Sequence, residues 1–215
     1  VDFSSMSTIL DCSKLHLLFW TGQPYNVMLK QGSYQIIGPD KEGGHKLQWD
    51  VLRLAHGSLT LEDYKAKHSK FRNSSRDFEF CYLVGIVYWY CAHGLYDEAT
   101  KVILEKAYPT LNKLPITIMH FEFYYQCAIA LTRNHGTMRQ AGFEVAKEIA
   151  KKFQLWDEFS PANFHAKNLI IKASLNTINR SVSPLDTLDL YEEAIERARE
   201  YNYWHDVAHA HLLCA

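Results

Sequence analysis

Residues 77–107 read DFEFCYLVGIVYWYCAHGLYDEATKVILEKA, a bulky apolar stretch, a short polar break and a more amphipathic stretch. The 16 residues from Phe80 to Leu95 carry no Asp, Glu, Lys or Arg, but they include a histidine and two glycines and stop at Asp97. A membrane span needs about 20 apolar residues. The stretch therefore predicts a helix over about 77–93, buried on most of its circumference inside a helical stack. His93-Gly94-Leu95 marks the turn, Tyr96-Asp97-Glu98-Ala99 opens a second helix over about 96–107, and Pro109 is expected just past its end.

The same alternation continues outward from there. A second pair is predicted at about 117–133 and 137–154, split by Arg133-Asn134-His135-Gly136. In its first member Phe121, Tyr124, Tyr125, Ala128, Leu131 and Thr132 follow helical spacing, so one wide face is buried. A third pair is predicted at about 162–180 and 184–200, each helix announced by serine before proline, Ser160-Pro161 and Ser183-Pro184. A last helix begins near Tyr203 and keeps its apolar period to Ala215, which predicts a piece of something longer. Upstream of residue 77 the pattern weakens. Short helices are expected at 13–20, 46–57 (Leu47, Val51, Leu52 and Leu54 inward) and 60–67, with a Gly/Pro-rich loop at 22–45. The chain thus divides into N-terminal helices at 1–76 and a right-handed stack of helical hairpins at 77–215, an all-α solenoid.

Composition agrees and excludes several function classes. The 215 residues carry 23 Lys plus Arg against 24 Asp plus Glu, with no long run of one sign. Such a balance supports neither a nucleic-acid footprint nor a polybasic membrane anchor. Five cysteines, odd in number and without a C-x-x-C pair, predict mostly buried thiols in a reducing, cytoplasmic setting.

The second helices show small residues where helices would cross closely: Tyr96 and Ala99 before Ile103, Ala141 before Val145, and Thr187 before Tyr191 and Ala194. Ala99, Ala141, Tyr191 and Ala194 are the expected repeat positions. Their spacing exceeds the ~34 residues of an ordinary tetratricopeptide repeat, so the repeats are degenerate. Residues 188–215, LDLYEEAIERAREYNYWHDVAHAHLLCA, carry a resemblance through Leu190-Tyr191, Ala194-Ile195, Ala198, Glu200, His205, Ala208, Ala210, Leu213 and Ala215. LHLLFWTGQP at 15–24, FEFYYQCAIAL at 121–131 and LWDEFSPANFHAKNLIIKA at 155–173 support it in the same order. The chain resembles the tetratricopeptide-like helical region of large multidomain hybrid histidine kinases of fungi and bacteria, between a predicted ATPase module and a GAF domain. His209 and His211 depart from that pattern.

The resemblance implies a non-catalytic scaffold that couples an upstream ATPase-type switch to a downstream sensor kinase in a phosphorelay protein. Its partners would be other proteins or neighbouring domains, it needs no cofactor, and catalysis lies outside this segment. A free-standing adaptor is the alternative. A small metal-dependent helical enzyme would need His205 and His209, which lie at i and i+4 as in H-E-x-x-H, but Asp206 stands where that motif has glutamate and no third ligand is assignable. Gly43-Gly44-His45-Lys46 lacks phosphate-loop spacing and reads as a turn. Cys81 and Cys91 are expected in the core. His120 and Glu122, at i and i+2, point to different faces and are expected to be solvated or capping.

Overall fold

The computed structural model describes residues 50–51, 53–54, 57–71, 76–113, 118–179 and 182–214, and their regular structure is helical, without a strand. The expected helix at 13–20, the loop at 22–45 and the start of the helix at 46–57 lie outside the described residues. From that last helix Val51 and Leu54 are buried, as its apolar phase requires. Helix α1, Leu61–His68, begins where Thr60 accepts a hydrogen bond from the Asp63 N–H at 3.1 Å. Glu62 and Asp63 in its first turn and Lys65 and Lys67 in its last match the helix dipole.

Helix α2, Arg76–Ala92, is the apolar stretch from which the fold was read. All seven residues from Tyr82 to Tyr88 are buried, which a helix achieves only when neighbours cover it on several sides. Its end is a Schellman motif: Gly94, at φ +69°, donates to Cys91 O, and Leu95 donates to Tyr90 O. Helix α3, Tyr96–Val102, then differs from expectation. It runs through one wide π-type turn, Ile103–Ala107, into α4, Tyr108–Leu111, so Pro109 lies inside the continuing helix and not beyond it. The physical reason is visible at Tyr108, whose N–H reaches back five residues to Ile103 O. A turn of that width accommodates a residue that lacks a donor and whose ring would crowd an ordinary α-turn.

The remaining helices are α5 (Ile118–Thr132), α6 (Arg139–Phe159), α7 (Pro161–Asn176), α8 (Pro184–Glu200) and α9 (Trp204–Cys214). Helix α8 ends like α2, with Asn202 at φ 61° in place of glycine and Tyr203 donating to Ala198 O at 2.8 Å. Each helix packs on its neighbour in sequence, α2 on α3, α5 on α6, α7 on α8 and α8 on α9. Alternate helices also touch, α2 on α5, α5 on α7 and α7 on α9. Among the described residues that connectivity defines a solenoid of three hairpins, α2/α3, α5/α6 and α7/α8, with α9 docked beyond them and an inner layer of α2, α5, α7 and α9.

Polar staples join one hairpin to the next. Asp97 accepts from the backbone N–H groups of His135 and Gly136, and Tyr108 donates to Glu148 at 3.0 Å. Asp157 takes Asn168 and His165 across α6 and α7. Phe121, Trp156 and Phe164 form an aromatic cluster at the same junction, with centroids 4.6 and 4.9 Å from Phe121.

Among the expected crossing positions, Ala99, Tyr191 and Ala194 are buried. Ala141 is exposed, a correction of one residue in helical phase. The close approach falls on Gly142, where a Cβ would stand 3.3 Å from Leu131 Cδ2 and 3.5 Å from its carbonyl oxygen. Ala146, one turn on, is fully buried. One residue is about 100° of helix, enough to move a side chain from the groove to the solvent.

Candidate functional site

The most concentrated chemistry in the described structure lies beneath α9, where α5, α7 and α9 meet. Lys167, on the inward face of α7, has a side chain only 4% exposed. Its Nζ lies 2.5 Å from Asp206 Oδ2 on α9 and 3.2 Å from Glu122 Oε1 on α5. The rings of Tyr125 and Tyr203 complete its surroundings, each centroid 5.5 Å from the ammonium. A buried lysine keeps its charge only when compensated. Burial alone would lower its pKa, but Glu122 and Asp206 together raise it above the usual lysine value.

The two carboxylates differ. Burial pushes both upward, and for Glu122 it prevails over the attraction of Lys167, leaving the pKa raised. Asp206 has the shorter contact to the ammonium and a second one from His205 Nε2 at 2.9 Å, and these overcome burial and bring it down to about 2. Asp206 is therefore the firmly ionised partner of Lys167.

His209 sits one turn further along α9, its Nδ1 3.0 Å from the Tyr125 hydroxyl and its ring edge-on to Tyr125 at 5.5 Å. Desolvation lowers its pKa to about 4, so it is neutral near neutral pH and can accept a hydrogen bond from the tyrosine hydroxyl. Arg133, at the end of α5, donates to Leu213 O at 3.2 Å. Three polar contacts along α9 thus hold it against α5 and α7.

This geometry places the residues singled out from sequence. His205 and His209, the candidate metal pair, face different partners, Asp206 and Tyr125, and no group of three metal-ligating side chains occurs among the described residues. Glu122 is in the ion cluster and His120 is buried with its ring stacked on Phe80 at 4.7 Å, so neither is solvated as the sequence suggested. The two do point to different faces of α5, His120 toward Phe80 of α2 and Glu122 toward Lys167 of α7. Cys81 and Cys91 are half-buried in α2, and burial pushes the Cys91 thiol up to about 12. Lys167 escaped the sequence reading entirely. Its only signal was a lysine at an apolar phase of α7, between Ala166 and Leu169.

A second feature is an open groove of about 820 Å³ where the start of α6 faces the turn after α7, lined by Thr137, Arg139, Phe143, Lys147, Ile178 and Asn179. No helix among the described residues is long and apolar enough to cross a membrane.

An all-helical stack of degenerate hairpins with interior charges spent on helix–helix contacts defines a helical-repeat protein. Residues 19–215 match the family described as CHK1-like, TPR repeats, and the chain belongs to that family. It is also similar to "Histidine protein kinase 1" of Candida albicans, 22% identical over 218 residues, covering 99% of this chain and 9% of that protein. The chain spans about a tenth of the length of that relative. No solved structure matches.

Proposed function

We propose that this segment is a non-catalytic tetratricopeptide-like scaffold that passes changes in packing between a nucleotide-dependent module on one side and a sensor histidine kinase module on the other. The observation that carries the reading is the use made of the reactive side chains: Glu122, Lys167, Asp206 and His209 are engaged between helices, and His205 braces Asp206 beside it on α9. Groups engaged in this way hold helices in register and are not presented to a substrate. Repeats of this family generally serve protein–protein interaction, and a continuous inner layer of helices supports transmission as rigid bodies, because packed interfaces switch between discrete arrangements and do not bend smoothly. The likeness to a histidine kinase supports the signalling context.

The test uses the full-length protein. A flexible Gly/Ser insertion in the α7–α8 turn, after Asn179, should uncouple kinase autophosphorylation from nucleotide state upstream while leaving the autophosphorylation itself intact. Autophosphorylation that still follows nucleotide state would overturn the coupling. The metal-enzyme alternative is tested separately with zinc: binding stabilises by ~2.7 kcal/mol at a hundredfold excess over Kd. We expect no shift in Tm, and a shift abolished by replacing His205 and His209 with Ala would favour the enzyme.

A further inference from the structure

Two turns on one edge of the stack, α6–α7 and α8–α9, are tied together by a short hydrogen-bond chain. Asn163 Nδ2 donates to Ser160 Oγ at 2.9 Å, and Tyr203 Oη donates to Asn163 Oδ1 at 2.9 Å. Immediately beside these polar links stand large apolar side chains in solvent. Phe159, next to Ser160, is 81% exposed, and Trp204, next to Tyr203, is 55% exposed. Leu155, one turn before Phe159 on the same face of α6, and Tyr201 are exposed as well. Trp156 between them turns inward to Phe121 and Phe164, so Leu155 and Phe159 lie on the outward face of α6.

Isolated exposed apolar residues are ordinary, but aromatic residues gathered on two joined turns form a patch of the kind that marks an interaction site. The charge around it leans acidic. From Lys151 to Phe164 the chain carries Asp157 and Glu158 against Lys151 and Lys152; Lys152 lies over the Tyr124 ring, and Glu158 stands next to Phe159. From Glu192 to Trp204 it carries four glutamates against two arginines, and Arg197 is taken by Glu200 at 3.1 Å.

We propose that this edge docks a basic amphipathic segment of another protein, its apolar side chains seated on Phe159, Trp204, Leu155 and Tyr201 and its Lys or Arg residues facing Glu158, Glu192 and Glu196. Charge complementarity selects the partner's chemistry, and the hydrogen-bonded turns hold the aromatic anchors at fixed separation, which lowers the cost of ordering them. The site is separate from the proposed coupling, so one reading can fail without the other.

The test measures fluorescence anisotropy of a labelled peptide of Leu and Lys at helical spacing, with a Glu-for-Lys counterpart, against the 215-residue chain. We expect saturable binding of the basic peptide that weakens steeply between about 50 and about 300 mM salt, and none of the acidic one. Phe159→Ala with Trp204→Ala should weaken it at least about tenfold, and Glu158→Lys with Glu196→Lys several-fold. Leu212→Ala, an equally exposed apolar change on α9, should leave Kd within about twofold. All these positions are exposed, so unchanged circular dichroism and Tm are expected. Equal affinity in wild type and the aromatic double variant, or equal binding of both peptides, would overturn the proposal. So would a dimer of the unliganded chain that the same double variant dissolves, since the occupant would then be a second copy.

Discussion

Two buried ion clusters among the described residues are of opposite design. In one, the carboxylate of Asp50, 1% exposed, gathers Arg53 at 3.1 Å, His68 at 2.8 Å and Lys67. In the other, the ammonium of Lys167 gathers Asp206 and Glu122. The first is assembled from residues close in the chain, and its Arg53 and Lys67 side chains remain 34% exposed. Burial would raise the Asp50 pKa, but hydrogen bonds from His68 and Lys67 hold it below the usual value. The second draws on three helices, with Asp206 and Lys167 39 residues apart. A cluster with solvent-facing partners can relax when one member is removed. A cluster sealed among helices cannot, and its charge is the tie between repeats.

The largest expected effect tests that difference. Lys167→Met leaves Asp206 and Glu122 uncompensated in the interior and should cost about 3–5 kcal/mol, read by urea denaturation. Adding Glu122→Gln and Asp206→Leu should recover most of the loss, since burying no charge costs less than burying one unpaired. Failure of that rescue would show that Lys167 matters for shape and not for charge.

Acidification sharpens the contrast next. His209 has its folded pKa lowered to about 4 from an ordinary 6.5, so its neutral form is the one the fold favours. Stability from this source is complete above about pH 6.5 and is lost as pH falls toward 4, by up to about 3 kcal/mol. Glu122 acts in the opposite sense, because a raised carboxyl pKa makes its protonation favour the folded state. Asp206, held near 2, keeps its contribution until pH falls below about 4. Thermal melts at pH 7.5 and 5 should therefore show a loss in wild type that is smaller in His209→Gln. An equal loss in both would assign the acid sensitivity elsewhere.

Asp50→Ala should cost less than Lys167→Met, about 1–2 kcal/mol, because Arg53 and Lys67 can turn to water and only the His68 ring is left buried without this partner. A cost equal to that of Lys167→Met would break the comparison. Smallest is Ala141→Leu, expected within about 0.5 kcal/mol on its exposed site, whereas Ala194→Leu at a buried position should cost about 1–3 kcal/mol by overpacking. Comparable costs would return Ala141 to the crossing position.

Helix identity, turn chemistry and pairing were legible because they depend on neighbours in the chain. Gly94, Thr60 and the two Ser-Pro pairs act on backbone within a few residues of themselves, and a charge-free run such as 80–95 must be covered by something. Pro109 was misplaced because local rules assign proline to a helix end, and only the wide turn at Ile103–Ala107 shows how the helix continues past it. Ala141 was misplaced because alanine suits both a groove and a solvent face, so composition cannot set phase when glycine follows it. Glu122 and Asp206 look like ordinary surface charges in sequence, and the apolar phase of Lys167 does not name its partners, since an ion pair across 39 or more residues leaves no local periodicity.

The sequence by itself determined the helices from Leu61 onward and their hairpin pairing, because hydrophobic period and capping are short-range properties of the chain; the family was carried by the resemblance of its motifs. The tertiary structure alone decided which charges are buried, which small residue marks each crossing and which aromatic side chains are left in water. Those outcomes depend on the angle at which one hairpin meets the next, a quantity set by many side chains packing at once.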